Sequence, residues 1–594
     1  MNKQDDQEPQ PKWKNVLKQI IEVHSPFKKE IGIAVLLIFL NKMFFMAIPF
    51  IVGLIVTKLS KGPESSNPQE IIYLILGILG FYSLAIFFDK IRLLWEVNYL
   101  DMNVSDYISS KTNEHLKTLS IGQHRNKHSL VTISKVSSGE TSIKNFFGMI
   151  FYNILPILLG VFTAVFAMII TYPMAGIICL LFTSLVLFSG LKIGRVFSKP
   201  SDKFQTFSKN VVSKSGGEFI QNLDSLKIAV EEDRHKEIHQ NHRKYRKILF
   251  KKVYGKMVSS LVITQTFSAI GRVSTLSVAA YMIYNGHYEI GAIAAIIAWS
   301  EQSLGMLYYI GYMYKNLLNE WSNIIQYFRV MDTKSDIRPL TNPVEMNTIN
   351  GEVIFDGVFF SYPGAKETSL KGVTFKIESG QKIGIVGPTG AGKSTLLSLL
   401  QIAHSPDLGS IRVDGKDLSN VDQVQYRSNI GFIEQQPLLL SQSLKRNLLF
   451  GLSKQQRMET TDKDLEGILD RLKLEGLKNR LYKNVGELGV KLSGGQKQRI
   501  VIGRILLKKP EMLIVDEGTS AVDPVTEKII HDELDNLSPG STRIFVAHRI
   551  STVQNADKII VMNEGCIEAT GTHDQLMETC ALYQELVQNL LLRT

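Results

Sequence analysis

Six long apolar runs dominate the first half of this 594-residue chain and decide what that half can fold into. Each has about 18–27 residues, the length that an α-helix needs to cross the hydrocarbon core of a bilayer. The runs cover residues 31–57, 71–88, 147–170, 173–190, 258–284 and 290–313. No such run follows residue 340. The pattern predicts an N-terminal all-α domain of six transmembrane helices over 31–331, followed by a domain of a different class.

The basic residues are distributed unevenly, and their distribution predicts the topology. The net charge of +11 has two explanations, nucleic-acid binding and membrane topology. Lysine and arginine concentrate at 12–29, 90–145 and 192–256, whereas the loops near 58–70, 171–172 and 285–289 are short and nearly neutral. The positive-inside rule then places both termini and the two long loops in the cytosol. We expect a multi-pass protein of a plasma membrane, such as a bacterial inner membrane, with no nucleic-acid partner.

The segments that flank the six runs have their own patterns. Residues 1–30 are predicted to form a polar tail and an amphipathic helix, over 11–29, that lies on the cytosolic membrane surface. The connections 96–145 and 191–256 are polar but rich in helix formers, so we expect cytosolic extensions that turn back through a short helix. Residues 332–350 are predicted to be a linker, because Asp, Pro, Thr and Asn replace the apolar periodicity there.

From residue 351 the pattern changes to short apolar runs that alternate with helical stretches. This alternation is typical of a parallel sheet with helices on both faces. Strands are predicted at 353–355, 373–375, 382–386, 512–515 and 543–547. We therefore predict a C-terminal α/β domain of the P-loop NTPase class over 351–594.

A complete phosphate-binding loop follows the predicted strand 382–386 and begins a helix. The motif is G-x-x-x-x-G-K-[ST], in which backbone N–H groups surround the phosphates of a nucleotide. The predicted nucleotide-binding residues are Gly387, Pro388, Thr389, Gly390, Ala391, Gly392, Lys393, Ser394 and Thr395. Lys393 should reach the β- and γ-phosphates as part of the catalytic set, and the Ser394 hydroxyl should bind Mg²⁺. The expected cofactors are ATP and Mg²⁺.

Two acidic residues, Asp516 and Glu517, directly follow the apolar strand 512–515. In a parallel sheet the end of this strand lies at the same edge as the phosphate loop. A carboxylate there suits Mg²⁺ coordination, which we assign to Asp516. Its neighbour Glu517 is predicted to act as the general base on the attacking water.

A second glycine-rich motif, Leu492-Ser493-Gly494-Gly495-Gln496, lies about a hundred residues after the first. A Ser-Gly-Gly turn that begins a helix is suited to contact an anionic phosphate. Ser493, Gly494, Gly495 and Gln496 are therefore predicted nucleotide-binding residues. A nucleotide-driven domain that follows a helical membrane domain predicts transport driven by ATP.

Together, these motifs make residues 351–580 closely similar to the nucleotide-binding domain of ABC transporters. The stretch 492–496 resembles the signature motif of that family. The resemblance implies further roles: Tyr362 stacks on adenine, Gln435 senses Mg²⁺, and His548 contacts the γ-phosphate. It also implies that residues 520–523 communicate between two nucleotide domains.

In this family, ATP lies between the phosphate loop of one domain and the signature of another. Because the chain has one copy of each motif, the resemblance implies a half-transporter that dimerises, and we expect an identical chain as partner. The order of domains resembles exporters. Gly518, Val522 and Leu488 depart from the usual family pattern, which puts in doubt only the contact between the nucleotide and membrane domains.

Charged residues inside the predicted spans are candidates for substrate contact, because such residues usually face a protein interior or a cavity. Arg272 and Glu301 lie about twelve or thirteen residues on either side of the loop 285–289, so a helical hairpin brings them to similar depth. We predict that they line the substrate cavity. A structural ion pair that fixes packing is the alternative. Lys42, in the first span, is a further candidate.

Two functions of different classes fit these features. The first is an ATP-driven exporter that alternates between inward- and outward-facing states. The alternative is an ATP-gated channel or regulatory membrane protein on the same scaffold. The resemblance does not single out a substrate, since exporters of lipids, peptides and drugs share this order of domains.

Overall fold

The structure is a computed structural model that describes residues 13–62, 67–126, 129–337, 342–365, 367–434, 438–516, 532–535, 540–546 and 553–591. The chain divides into two compact units. A helical unit comprises Met1–Leu116 and Ser129–Thr333, and an α/β unit comprises Lys117–His128 and Lys334–Thr594.

The helical unit is built from long helices. Its α-helices are Trp13–His24, Lys28–Ser60, Pro68–Trp95, Met102–Thr118, Ser129–Gly148, Leu155–Thr171, Pro173–Phe207, Lys214–Gln221, Leu223–Ile228, Glu232–Tyr284, Ala292–Ser300 and Tyr308–Met331. Within the part of the chain that the structure describes, four helical stretches are long and apolar enough to cross a membrane: Lys14–Ser60, Pro68–Thr118, Lys135–Thr171 and Pro173–Gly190. The fifth and sixth predicted spans are also helical, in Glu232–Tyr284 and from Ala292 onward.

Among the described residues of the helical unit, four short segments have π-helical geometry. They are Glu96–Asp101, Met149–Ile154, Ser208–Ser213 and Glu301–Gly305. Each lies directly between two α-helices or extends one of them. Single turns of this kind are rare and often occur at functional sites.

The N-terminal helix, Trp13–His24, has a protein partner for its apolar face. Val16, Ile20 and Val23 are buried in a cluster that includes Ile108 and Tyr327. Their spacing of four and three residues places them on one face of the helix. The face that was predicted to lie on the membrane surface therefore packs inside the helical unit.

The α/β unit contains two sheets. Strands β1 to β10 are Val353–Phe360, Leu370–Ile377, Lys382–Val386, Leu408–Val413, Lys416–Asp417, Ile430–Ile433, Met512–Asp516, Thr542–Val546, Lys558–Asn563 and Cys566–Gly571. The larger sheet has the order β10-β9-β3-β8-β7-β6, and all its pairs are parallel except β10 with β9. The smaller sheet, β2-β1-β4-β5, is antiparallel. The predicted strands at 353–355 and 373–375 belong to this smaller sheet rather than to the parallel one.

Short helices connect and cover these sheets. They are Ile121–Asn126, Lys393–Leu400, Gln423–Ser428, Leu444–Leu448, Lys454–Glu459, Asp462–Arg471, Gly494–Lys508, His573–Thr579 and Ala581–Leu591. A first core packs the two sheets around Lys393–Leu400. A second core joins the helices between 444 and 508 to β7 and β8. The carboxyl ends of the parallel strands thus form one edge, where ligands of such sheets bind.

Candidate nucleotide site

The phosphate loop connects β3 to helix Lys393–Leu400, as the motif predicts. The Lys393 side chain is buried, and its ammonium donates hydrogen bonds to the carbonyl oxygens of Gly387, at 2.8 Å, and Pro388, at 2.9 Å. The helix that begins at Lys393 presents the backbone N–H groups of its first turn and the positive end of its dipole to the loop. Lysine charge and helix amides therefore converge on one place, which is suited to a polyphosphate.

Three glycines of the loop have positive φ, and two of them, Gly390 and Gly392, lie close to the left-handed helical conformation, which favours glycine. Gly390 has φ of +86° and Gly392 has φ of +98°. A Cβ atom on Gly392 would also lie 2.9 Å from the carbonyl oxygen of Ser369 and 2.8 Å from the Leu370 side chain, whereas a Cβ on Gly390 would meet open space. Gly392 is thus required both for its dihedral angles and for close packing against β2.

An open cavity of about 940 Å³ lies beside the loop. Its lining includes Thr389, Gly390, Ala391, Gly392, Lys393, Ser394 and Thr395. Five further residues outside the motif, Glu367, Thr368, Ser369, Lys371 and Glu564, also line it, together with Gly565. The structure therefore brings seven of the nine predicted loop residues to the wall of one cavity.

Asp516 lies at the carboxyl end of β7 and lines a second cavity together with a residue of the phosphate loop. This cavity of about 370 Å³ is lined by both Asp516 and Ser394. The strand register explains the placement, because Val546 of β8 pairs with Ile385 of β3 on one side and with Asp516 on the other. A hydroxyl and a carboxylate thus lie at one edge of the sheet, and both are hard oxygen donors suited to Mg²⁺.

Tyr362 lies on the wall of the same smaller cavity. Its hydroxyl donates a 3.3 Å hydrogen bond to the Thr395 hydroxyl. Its ring makes edge contacts with Phe360 and with His404, at centroid distances of 5.0 and 5.4 Å. The predicted aromatic is therefore next to the phosphate loop.

The signature motif forms the N-terminus of helix Gly494–Lys508. Ser493 accepts a hydrogen bond from the backbone N–H of Gln496, and the Gln496 side chain accepts one from the backbone N–H of Ser493. This capping box fixes the first turn and leaves Ser493 and Gly494 exposed. None of residues 493–496 is among the described residues that line the two cavities at the phosphate loop.

Buried cations hold the other end of the signature helix. Arg504 donates hydrogen bonds to the carbonyl oxygens of Asn447, at 2.7 Å, and Leu438, at 2.9 Å. Lys508 donates to the carbonyl oxygens of Arg427 and Ile430. Burial lowers the pKa of Lys508 to about 8. The bonds of Lys508 fix the helix to the segment before Gln435, and those of Arg504 fix it to the segment after Gln435.

Several predicted residues lie outside the residues that the structure describes. They are Glu517, His548, Gln435 and the stretch 520–523. The strands that precede two of them are described, and β7 and β8 end side by side at Asp516 and Val546. Roles for these residues stay predictions.

Two features of this site were not predicted. The hairpin turn between β9 and β10, at Glu564 and Gly565, lies against the loop, and the Gly565 N–H donates to the Ala391 carbonyl oxygen at 3.3 Å. Glu-Gly after an apolar strand is a recognisable hairpin signal that could have found it. The second feature is the buried His404, which lines the smaller cavity beside Tyr362, and the sequence around it carries no motif that predicts this position.

In the helical unit, Arg272 and Glu301 form the predicted ion pair. Arg272 lies in Glu232–Tyr284, and Glu301 begins the π-helical segment Glu301–Gly305. Neither is among the described residues that line the two cavities beside Tyr152 in this unit. Contact of this pair with substrate stays a prediction.

Family comparisons agree with this arrangement of two units. A family model for the ABC transporter transmembrane region matches residues 31–307, and one for the ABC transporter itself matches residues 370–520. The chain belongs to the ABC transporter family. It is a half-transporter of the exporter type, with one membrane region N-terminal to one ATPase domain.

Relatives of this ABC transporter extend over nearly the whole chain. It is 27% identical to ABC transporter B family member 6 of Dictyostelium discoideum, over 95% of this chain and 84% of that protein. It is 26% identical to YgaD of Bacillus subtilis (strain 168), provisionally named a multidrug export ATP-binding/permease protein, over 97% of this chain and 100% of that protein. The chain spans 56% of the length of the rodent ATP-binding cassette sub-family B member 6 proteins.

The fold of the ABC transporter is similar to that of a solved structure, a bacterial Atm1-family ABC exporter with ATP bound. The TM-score is 0.81, the sequence identity is 22%, and the likeness covers 95% of this chain and 98% of the other. By its match to the two family models, the chain is a multi-pass membrane protein whose ATPase domain binds and hydrolyses ATP to drive export.

Proposed function

We propose that two identical copies of this chain assemble into one exporter, each binding ATP with Mg²⁺ at its phosphate loop and completing the site with the other's signature motif. The observation that supports this most strongly is the separation of the two motifs. Residues 389–395 line cavities at the edge of the sheet, whereas the capped and exposed turn at Ser493 and Gly494 lines neither of them. A partner's signature can supply what the loop lacks.

The residues present at the loop fit Mg²⁺. The Ser394 hydroxyl is exposed and shares a cavity with the Asp516 carboxylate, so these two side chains would hold the ion, with Gln435 as the third predicted ligand. When bound, Mg²⁺ neutralises charge on the β- and γ-phosphates. Lys393 and the amides that begin its helix supply positive charge from the protein.

Proton transfer at this site is assigned to Glu517. It follows Asp516 at the carboxyl end of β7, where a carboxylate can orient the attacking water and accept its proton. His548, two residues beyond the end of β8, is assigned to contact the γ-phosphate. The register of β7 with β8 supports placing both residues at the edge that carries the phosphate loop.

The orientation in the membrane follows from charge. Lysine and arginine crowd the N-terminus and the two long connections, so we assign these segments, together with the ATPase domain, to the cytosol. The membrane is assigned as a plasma membrane. Binding of ATP would then draw the two ATPase domains together and turn the substrate path outward, and hydrolysis would reset it.

ATP hydrolysis by the full chain in lipid nanodiscs tests the assigned chemistry. We expect Mg²⁺-dependent hydrolysis by the wild type and a fall of at least about 100-fold in Glu517→Gln, with ATP binding retained, because the base is lost and the phosphate contacts are not. Glu568→Gln, at an exposed position of β10, is the matched control and should hydrolyse like the wild type. Wild-type hydrolysis by Glu517→Gln would place the general base elsewhere.

A further inference from the structure

The helical unit contains a polar cavity of about 500 Å³ among the membrane-spanning segments. Its polar lining comprises Asn41, Lys42, Asp89, Arg92, Tyr152 and Gln302. Lys42 lies near the centre of the apolar run 31–57, where a charged side chain is costly and usually has a function. The cavity is therefore a candidate binding site that the ATPase chemistry does not use.

Most of the polar groups of this cavity already have protein partners. Arg92 donates to Asp89, at 2.8 Å, and to Glu96, at 3.0 Å, so its guanidinium has two carboxylate partners. The Asn41 amide donates to the Ala85 carbonyl oxygen at 2.9 Å. These bonds account for the structural role of the cluster.

Lys42 differs from its neighbours. It is only partly exposed, and among the residues that the structure describes its ammonium has neither a hydrogen bond nor an ion pair within 4.0 Å. Asp89 lines the same cavity and attracts Lys42 electrostatically, but its direct contact is with Arg92. A cation that has no direct hydrogen-bond partner inside a membrane segment is stabilised when a ligand carboxylate pairs with it.

The remaining wall of the cavity is apolar and aromatic. Phe45 and Tyr82 line it and meet edge to face, with ring centroids 6.0 Å apart. Met306 lines it as well. A cavity of this volume with an apolar wall and a few convergent polar groups is typical of a small-molecule site.

The geometry of the backbone is independent evidence that this cavity is a binding site. Three of the four π-helical segments contribute to this cavity: Tyr152 and Gln302 line it from two of them, and Glu96 of the third bonds Arg92. Such segments recur at functional sites because they redirect side chains out of the regular helical pattern. Their convergence on one cavity favours binding over simple packing.

We propose that this cavity binds the transported substrate, that the substrate is an amphipathic organic carboxylate, and that Lys42 is its counter-ion, with Phe45 and Tyr82 against its apolar part. The inference rests on the proposed export function and names the substrate class. A single carboxylate can pair directly with Lys42, and the aromatic wall is suited to an apolar group attached to that carboxylate.

Equilibrium binding of a fluorescent probe tests this directly. The probe is dansylglycine, which joins an aromatic ring to one carboxylate, and its methyl ester is the neutral match. Binding is measured without ATP to the full chain in phosphatidylcholine nanodiscs, with empty discs subtracted. We expect the wild type to bind the acid about tenfold or more tightly than the ester, as a charge-assisted hydrogen bond requires.

Variants assign that preference to Lys42. Lys42→Gln should bind acid and ester alike, and Lys42→Arg should keep the preference. Lys58→Gln should behave like the wild type, because it removes a partly exposed charge that lies on the same helix as Lys42 and pairs with Glu70 of the next helix. If Lys42→Gln does not assemble, Lys42→Met replaces it. Equal binding of acid and ester by the wild type, or a preference that survives in Lys42→Gln, would overturn the proposal.

A lipid headgroup is the other source of an anionic group. Phosphatidylglycerol added to the discs should leave dansylglycine binding unchanged. Displacement of the probe would show that the site binds lipid headgroups and would overturn the proposal that its ligand is a soluble carboxylate. Because binding is measured without ATP, failure of hydrolysis would remove the proposed function without affecting this readout. Equal binding of the two probes would remove only this inference.

Discussion

Gly122 donates its backbone hydrogen to the carbonyl oxygen of Ala403 at 3.0 Å, which attaches the short helix Ile121–Asn126 to the ATPase domain. This helix lies in sequence between two long helices of the membrane domain, yet it belongs to the α/β unit. The neighbouring residue His404 is buried, and its ring contacts Tyr362 at the nucleotide cavity. Contacts thus lead from the nucleotide cavity, through Tyr362 and His404, to the helix Ile121–Asn126, which connects two long helices of the membrane domain in sequence.

Gly122 packs closely against Ala403 and His404, so we predict that any side chain at this position will disrupt these contacts. A Cβ atom would lie 2.0 Å from the His404 ring and 2.5 Å from the Ala403 carbonyl oxygen. We expect Gly122→Ala to destabilise the contact by about 1–3 kcal/mol, as overpacking does, and to lower ATP hydrolysis and the melting temperature together. Gly467→Ala, on an open helix surface, is the control and should be neutral or slightly stabilising. Unchanged values for Gly122→Ala would refute the close packing.

Substitution of two glycines of the phosphate loop, Gly390 and Gly392, distinguishes the effect of backbone strain from the effect of steric overlap. Both have positive φ, but only at Gly392 would a Cβ atom meet neighbouring atoms. We expect Gly390→Ala to weaken ATP binding by about tenfold or less, from strain of about 1 kcal/mol. Gly392→Ala should weaken it further, because the strain and the overlap with Ser369 add. A titration with a fluorescent ATP analogue measures both, and equal effects would contradict the packing at Gly392.

The Ser394 hydroxyl predicts a specific dependence on Mg²⁺. Ser394→Ala removes one oxygen ligand and leaves the loop backbone in place, so we expect half-maximal hydrolysis to need about tenfold more Mg²⁺. Thr389→Ala changes an exposed hydroxyl of the same loop that does not line the Asp516 cavity and serves as the control. An unshifted Mg²⁺ titration for Ser394→Ala would remove the serine from the ion's ligands.

Residues with strong local patterns were predictable, and residues placed by distant contacts were not. The apolar strands 382–386 and 512–515 and the glycine loop carry their own signals, and the structure has all three. The pairing of β1 with β2 and β4 in a separate antiparallel sheet has no such signal, because alternating residues alone do not specify a partner strand.

The N-terminal helix shows the same limit. Its amphipathic pattern predicts an apolar face but not the surface that the face covers, since membrane and protein satisfy Val16, Ile20 and Val23 equally well. The structure supplies helix partners such as Ile108. Likewise, Arg272 and Glu301 were placed at similar depth by counting residues, and their pairing follows from helix geometry.

Lys508 predicts how stability depends on pH. Its pKa is about 8 in the folded chain, below the ordinary value of 10.5, because burial disfavours the charged form. Between these pH values the unfolded chain binds more protons, so this group makes stability rise with pH from about 8 to 10.5, by at most about 1.36 kcal/mol per pH unit. Below pH 8 the group is charged in both states and adds no slope.

Melting temperatures of the wild type and Lys508→Met across this pH range isolate the effect. The wild-type value minus the variant value should increase as pH rises from 8 to 10.5, because Met has no proton to release. Lys509→Met, one residue later, is the control for removing a charge. A difference that stays constant or falls over this range would contradict the assigned pKa.

Complementation between two inactive chains tests most directly the central claim that identical copies complete each other's ATP sites. Lys393→Ala disables the phosphate loop, and Ser493→Arg disables the signature. In a mixed dimer of these chains, purified through two different tags, one composite site carries both changes and the other carries neither. We predict that the mixed dimer hydrolyses ATP well above either parent. A mixed dimer as inactive as its parents would contradict the account, because sites formed within single chains would all remain broken.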